Sequence, residues 1–172
     1  MRAYEPKILP GLLQTEEYMR EMFTALEYPE KVEQLVQIRM KRKELLKNAR
    51  GFILRTIIDT PALHRIEGDS ELVRNQLRHL LAVGKQANVN IQVMPLDASL
   101  PMLQYGPYTV FGLRGEPPVD LVWLEHITGG TLLEQRRDVQ AYSKAWDELT
   151  AAALSPSASQ QYIRDLIEES GP

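Results

Sequence analysis

Asn88-Val89-Asn90-Ile91-Gln92-Val93-Met94-Pro95 is the stretch from which the fold is read. Val89, Ile91 and Val93 alternate with Asn90 and Gln92, the two-residue period of a half-buried strand, and Pro95 stops it. Upstream, Gly51 ends a helical pattern, and Phe52-Ile53-Leu54-Arg55-Thr56-Ile57-Ile58 is β-branched and continuous enough for a buried strand. Between the two, Asp69 or Ser70 caps a helix whose Val73, Leu77, Leu80, Leu81 and Gly84 share one face. Strand, helix and strand in this order predict a right-handed parallel crossover.

Working outward, residues 108–113 and 121–125 predict two further strands, with Arg114-Gly115-Glu116-Pro117-Pro118 as the hairpin turn between them. On the N-terminal side a short helix is expected over 15–26, closed by Tyr28-Pro29. A longer one follows over 29–48, with Val32, Leu35, Val36, Leu45 and Leu46 as its apolar stripe. On the C-terminal side Gly129-Gly130 breaks the chain before a long helix over about 132–154. Ser155-Pro156 then starts a last helix ending near Glu169. The sum is a single α+β domain over 1–172: a small mixed four-stranded sheet containing one βαβ crossover and a hairpin, flanked by N-terminal and C-terminal helices.

Composition bounds the function. At 172 residues, 44% hydrophobic and 25% charged, the chain suits one domain with a real core. No run of about 18 apolar residues suggests a membrane span, and the N-terminus lacks the basic-then-apolar pattern of a signal peptide. With no cysteine there is neither a disulfide framework nor thiol chemistry, which fits a cytoplasmic protein. A net charge of −3 makes a poor stand-alone binder of nucleic acid, because phosphate neutralisation supplies most non-specific affinity.

The order of residues is most specific in Tyr4-Glu5-Pro6-Lys7-Ile8-Leu9-Pro10-Gly11-Leu12-Leu13-Gln14-Thr15-Glu16-Glu17-Tyr18. Pro6, Pro10 and Gly11 forbid a continuous helix, Thr15 is a good N-cap, and Glu16 and Glu17 favour the first helical turn. Read physically, this is a buried loop feeding a helix. Its order resembles the YEP…PGLLQTEEYAR opening of the regulatory domain carried behind an XRE-type helix-turn-helix in actinobacterial WhiJ-like and antitoxin-like transcription factors. Later pieces keep the same order: Arg39 and Arg42 in an R-x-x-R helix, Leu63-His64-Arg65 with Gly68, Gln76-Leu77-x-x-Leu80, and Asn88 to Pro95. Gly106-Pro107-Tyr108-Thr109, Val122-Trp123-Leu124-Glu125, and Ala153-Leu154-Ser155-Pro156 with Ser159 complete them. The departure lies at Asp59-Thr60-Pro61-Ala62, where the family usually carries a Glu two residues beyond the strand's Asp.

Three constellations are candidates for chemistry. Asp59, His64, Glu125 and His126 converge if the ends of their strands share one edge of the sheet; otherwise they are solvated polar residues. Their spacing matches no local ligand motif, so no metal and no catalytic residue is assigned. The basic stretch Arg39-Met40-Lys41-Arg42-Lys43 reads as a solvated helix face without the aromatic interleaving of a single-strand binder. The loop over 97–107 holds Met102, Leu103 and Tyr105 in a Pro/Gly frame, where apolar residues either cap the core or line a binding surface. Trp123 and Trp146 read as core. The ligand- or partner-binding set is therefore Met102, Leu103, Tyr105, His64, Arg65, Glu125 and His126, with no cofactor.

The resemblance implies a non-catalytic regulatory domain that senses a small partner protein or a small-molecule effector and modulates DNA binding by an attached head. Because almost no chain precedes Tyr4, the helix-turn-helix is expected to be missing, so that DNA is engaged only indirectly. A homodimer through the helices is compatible with two-fold operator recognition. The alternative is a stand-alone small enzyme or ligand-binding protein that reuses this fold, for example in a biosynthetic pathway.

Overall fold

In a computed structural model, which describes residues 1–26, 29–66, 68–99, 106–126 and 128–169, a single mixed sheet lies between two layers of helices. Its strands are β1 (Arg2–Glu5), β2 (Leu54–Asp59), β3 (Val89–Met94), β4 (Tyr108–Leu113), β5 (Val119–His126) and β6 (Gly129–Leu133), in the order β3-β2-β1-β4-β5-β6. β1, β2 and β3 run parallel, and β4, β5 and β6 continue the sheet in antiparallel pairs from β1. The helices are α1 (Glu16–Ala25), α2 (Val32–Lys43), α3 (Thr60–His64), α4 (Ser70–Val83), α5 (Arg136–Ala152) and α6 (Pro156–Glu169).

The parallel β2–β3 pair with α4 between them, and the β4–β5 hairpin, agree with the sequence reading. Asp69 is the cap of α4, its Oδ1 accepting from the Leu72 N–H at 2.9 Å. The strand count differs: the sheet has six strands, not four. β1 is only four residues long and ends at Pro6, too short for any period to show. Its central place comes from partners at Arg55–Ile58 on one side and Tyr108–Val110 on the other, which lie far away in sequence. β6 begins at the Gly129-Gly130 pair that reads as a breaker. Gly129 has φ +141°, and a Cβ on Gly130 would fall 2.0 Å from Cζ2 of Trp123, so the ring lies across a bare backbone. The long helix α5 accordingly starts at Arg136.

Each sheet face has its own core. Leu54, Ile58, Val89, Ile91 and Val93 pack on Leu77, Leu80 and Val83 of α4, on Ile163 and Leu166 of α6, and on Leu12, Leu13 and Tyr18. The opposite face carries Tyr4, Ile57, Tyr108, Val110 and Val122 against Ala145, Trp146 and Leu149 of α5. A small third cluster, Met19, Phe23, Val32 and Val36, joins α1 to α2. α2 stops at Lys43 and tightens into a 3-10 turn, Glu44–Lys47, which buries Leu46 and leaves Leu45 outside. Trp146 is core as its sequence suggests, but Trp123 is not: it is 36% exposed, on the face of β5 opposite Val122. No helix among the described residues is long and apolar enough to cross a membrane.

Four buried polar side chains lock these layers together. Gln14 donates to the Leu9 carbonyl, and Gln76 of α4 donates to the Leu13 carbonyl while accepting from the Thr15 N–H. Asn88 donates to the Leu46 and Phe52 carbonyls. Ser159 accepts from the Val93 N–H, and the Leu154 N–H donates to the Val93 carbonyl, so the α5–α6 corner covers the free edge of β3. Burying an amide or hydroxyl is costly unless it is paired, and each of these four side chains is paired.

Candidate functional site

The parallel run of β1 and β2 and the reversed run of β4 and β5 bring Asp59, Glu5, Tyr108 and Glu125 to one edge of the sheet. Tyr4, Tyr108 and Leu124 are aligned across three strands, so Glu5 and Glu125, each one residue further, stand on the same face with β4 between them. Asp59 points to the other face, where the Tyr4 hydroxyl donates to its Oδ2 at 2.9 Å. Burial raises the Asp59 carboxyl above its ordinary range, with the Tyr4 hydrogen bond opposing, and its Oδ1 is buried without a partner. Tyr4 is itself pushed up, by burial and then by Asp59.

On the face of Glu5 lies a charged cluster. Arg39 of α2 donates to Oε1 of Gln14, and its guanidinium carbon sits 4.7 Å from the centre of the Phe23 ring. Burial pulls its pKa down, and Glu125 is the largest of the charges that oppose this. Glu5 is carried up to about 7, first by burial and then by Glu125, with Arg39 opposing. Neither Glu5 nor Glu125 makes an ion pair with Arg39. One turn further along α2, Lys43 donates to the Gln14 carbonyl and lies 3.2 Å from Nε2 of His79. Burial, and then Lys43, lower His79 to about 4.

Arg39 and Lys43 are therefore not part of a solvated face. They continue the stripe of Val32 and Val36 at helical spacing, so the same turn that buries the valines carries both cations inward. That phase was the available signal; counting charges hid it. Lys41 and Arg42, between them, are exposed. Glu5 gave no such signal, because its burial depends on the unforeseen strand β1.

The other expected site residues scatter. His64 is exposed at the end of α3, its Nε2 3.0 Å from the Tyr162 hydroxyl of α6. Arg65 borders a cleft of about 350 Å³ with Lys7, Ile8, Tyr18, Met22 and Leu26. His126 stays within its own hairpin, near Thr128 and Thr131. Asp59, His64, Glu125 and His126 thus form no common site, and among the described residues no group of three His, Cys, Asp or Glu side chains is placed to hold a metal ion. Met102, Leu103 and Tyr105 lie outside the described residues.

A family model matches residues 1–165, nearly the whole chain, and is described as a domain of unknown function, DUF5753. The chain belongs to the DUF5753 family. No curated protein and no solved structure matches it. Within this DUF5753 chain the buried Gln14, Gln76, Asn88 and Ser159 are spent on fold, whereas Glu5 and Arg39 are partly buried charged groups at one end of the sheet and Glu125 is exposed.

Proposed function

We propose that this chain is a non-catalytic regulatory domain of an XRE-type transcriptional regulator, sensing a small partner protein or small ligand and modulating DNA binding by the attached head. The observation that carries this reading is the partly buried charge of Glu5 and Arg39, both influenced by the exposed Glu125, set where the motif loop, α1, α2 and the end of the sheet meet. Buried charge is costly unless paired, and a ligand that pairs it in one arrangement of the domain but not another shifts the balance between them. The cluster is the kind of element such a shift needs. The XRE attachment rests on the motif order from Tyr4 to Ser159, and operation inside the cell goes with it.

The test is the intact mass of the untagged protein made by its native host, set against the 19.7 kDa of this chain. A product longer by about 80–100 N-terminal residues, the size of a small helical domain, that binds operator DNA is the expected result. A native product of 19.7 kDa without DNA binding would overturn the regulator reading.

A further inference from the structure

Both faces of the β4–β5–β6 half of the sheet carry apolar side chains, and only one of them is covered. Tyr108, Val110, Val122 and Leu133 turn toward α5. On the other face the register sets Phe111 beside Leu121, Leu113 beside Val119, and Trp123 beside Leu132. None of these six joins a core cluster among the described residues. The layer of α4, α6 and the motif loop packs on β2 and β3, and Thr109, at one end of β4, is the last buried position on this face. Beyond it Leu113, Val119, Trp123 and Leu132 are 36–50% exposed. Trp123 is held in place, its ring lying across the bare backbone of Gly130, and tryptophan is the residue type that most often anchors interfaces. A cleft of about 480 Å³, with Phe52, Ile53, Phe111 and Leu113 in its wall, continues the face at one end. β6 is the outermost strand on this side, so its far edge has no neighbouring strand.

We propose that this face is the homodimer interface of the chain, covered by the same face of a second copy. A two-fold axis parallel to the strands lays β5 over β5, and β4 of each copy over β6 of the other, sheet to sheet at about 10 Å. A helical layer is about as thick as that spacing. Each uncovered half-sheet therefore fits the step beside the other copy's helices, and each free β6 edge ends against the other copy's helical layer. An axis across the strands would instead drive the helices of one copy into the sheet of the other. Composition favours a second copy over a transient partner. The strands put a single charged side chain on this face, Glu125 at its end, and homodimer interfaces are more apolar than transient ones. Area agrees: with Phe111, Leu121 and Ile53 counted, roughly 500 Å² of apolar side chain is left in water, near the top of what a lone monomer carries. Two copies meeting there bury about 1,000 Å² in all, the lower bound of a specific interface, so a dimer of micromolar strength is expected. The two-fold contact then lies on the sheet, where the sequence pointed to the helices.

The experiment is sedimentation equilibrium of the full chain over about 1–100 µM, the range in which an interface of this size assembles. The mass is expected to rise from 19.7 kDa toward twice that value. Over the same range tryptophan emission should shift to the blue, because Trp123 leaves water while Trp146 is already buried. L113K and L132K should each weaken the dimer at least about tenfold, since the two-fold repeats every substitution and buries two unpaired ammonium groups. I38K and L45K place the same charge at equally exposed apolar positions on the helical side, and should leave assembly unchanged. Melting of each variant shows that it is folded. A monomer at every concentration would overturn the proposal. So would a dimer that survives both L113K and L132K, or one that I38K or L45K dissolves, which would put the contact on the helices. None of these results touches the regulator reading, which stands or falls on the native mass and on DNA binding.

Discussion

Replacing Glu5 by glutamine tests the electrostatics of the sheet edge in a single difference measurement. The carboxyl's ordinary pKa of 4.5 becomes about 7 in the folded chain. Below 4.5 the folded and unfolded chains both hold the proton, and Glu5 costs nothing. As pH rises from 4.5 to 7 the unfolded chain releases the proton first, so stability falls, and above 7 the loss is complete. At 1.36 kcal/mol for each tenfold change in proton affinity, the full loss is about 3 kcal/mol. Glutamine has the same shape and cannot ionise. E5Q should therefore run parallel to the natural chain at acid pH and become more stable by about 3 kcal/mol near pH 8. For a domain of this length that is a rise in Tm of roughly 6–12 °C. His79 acts in the opposite sense. Lowered to about 4, it stays neutral in the folded chain while the unfolded chain takes up a proton below 6.5, so its stability is lost as pH falls through that window. The total pH profile of the natural chain is thereby flattened, and Asp59, raised by burial, leans the same way as Glu5. Only the difference between the two proteins isolates Glu5. Urea unfolding followed by circular dichroism at a series of pH values gives that difference, and curves that stay parallel from acid to about pH 8 would refute the reasoning.

Three further substitutions probe the frame that holds this edge. Q76L leaves the Leu13 carbonyl and the Thr15 N–H buried without partners, and should lower stability by about 2–5 kcal/mol in urea unfolding; a change below about 0.5 kcal/mol, the size of an ordinary surface substitution, would show that water replaces the amide. T15A removes the hydroxyl that accepts from the Tyr18 N–H at 3.2 Å, with an expected cost of about 1 kcal/mol; a neutral result would mean that Glu16 and Glu17 start α1 unaided. G130A sets a methyl group where the Trp123 ring lies, so the ring must swing into water. The expected signs are a red-shifted tryptophan emission and a loss of roughly 0.5–1.5 kcal/mol as an off-rotamer strain, and an unchanged spectrum would place the ring elsewhere.

The crossover β2–α4–β3, the β4–β5 hairpin and the cap at Asp69 were legible because each depends on contacts near in sequence: a local period, a turn or one side chain reaching the next helical turn. The inward phase of Arg39 and Lys43 was equally local, written in the spacing from Val32 and Val36, but like charges in a row obscured it. The family order from Tyr4 to Ser159 was legible too, and the structure gives its physical content in Gln14, Gln76, Asn88 and Ser159, which satisfy buried backbone.

What only the tertiary structure decided is the sheet's full width and the site on its edge. A four-residue strand has no period of its own; β1 exists because residues from about fifty to about a hundred positions away supply its hydrogen bonds on both sides. Once β1 is in the middle of the sheet, Glu5 shares a face with Glu125 across β4, and its proton affinity changes because water leaves and a like charge comes within reach. Period and caps are properties of neighbours along the chain. The environment of a charge belongs to neighbours in space, and at this edge those come from β1, β5, the motif loop and α2 together.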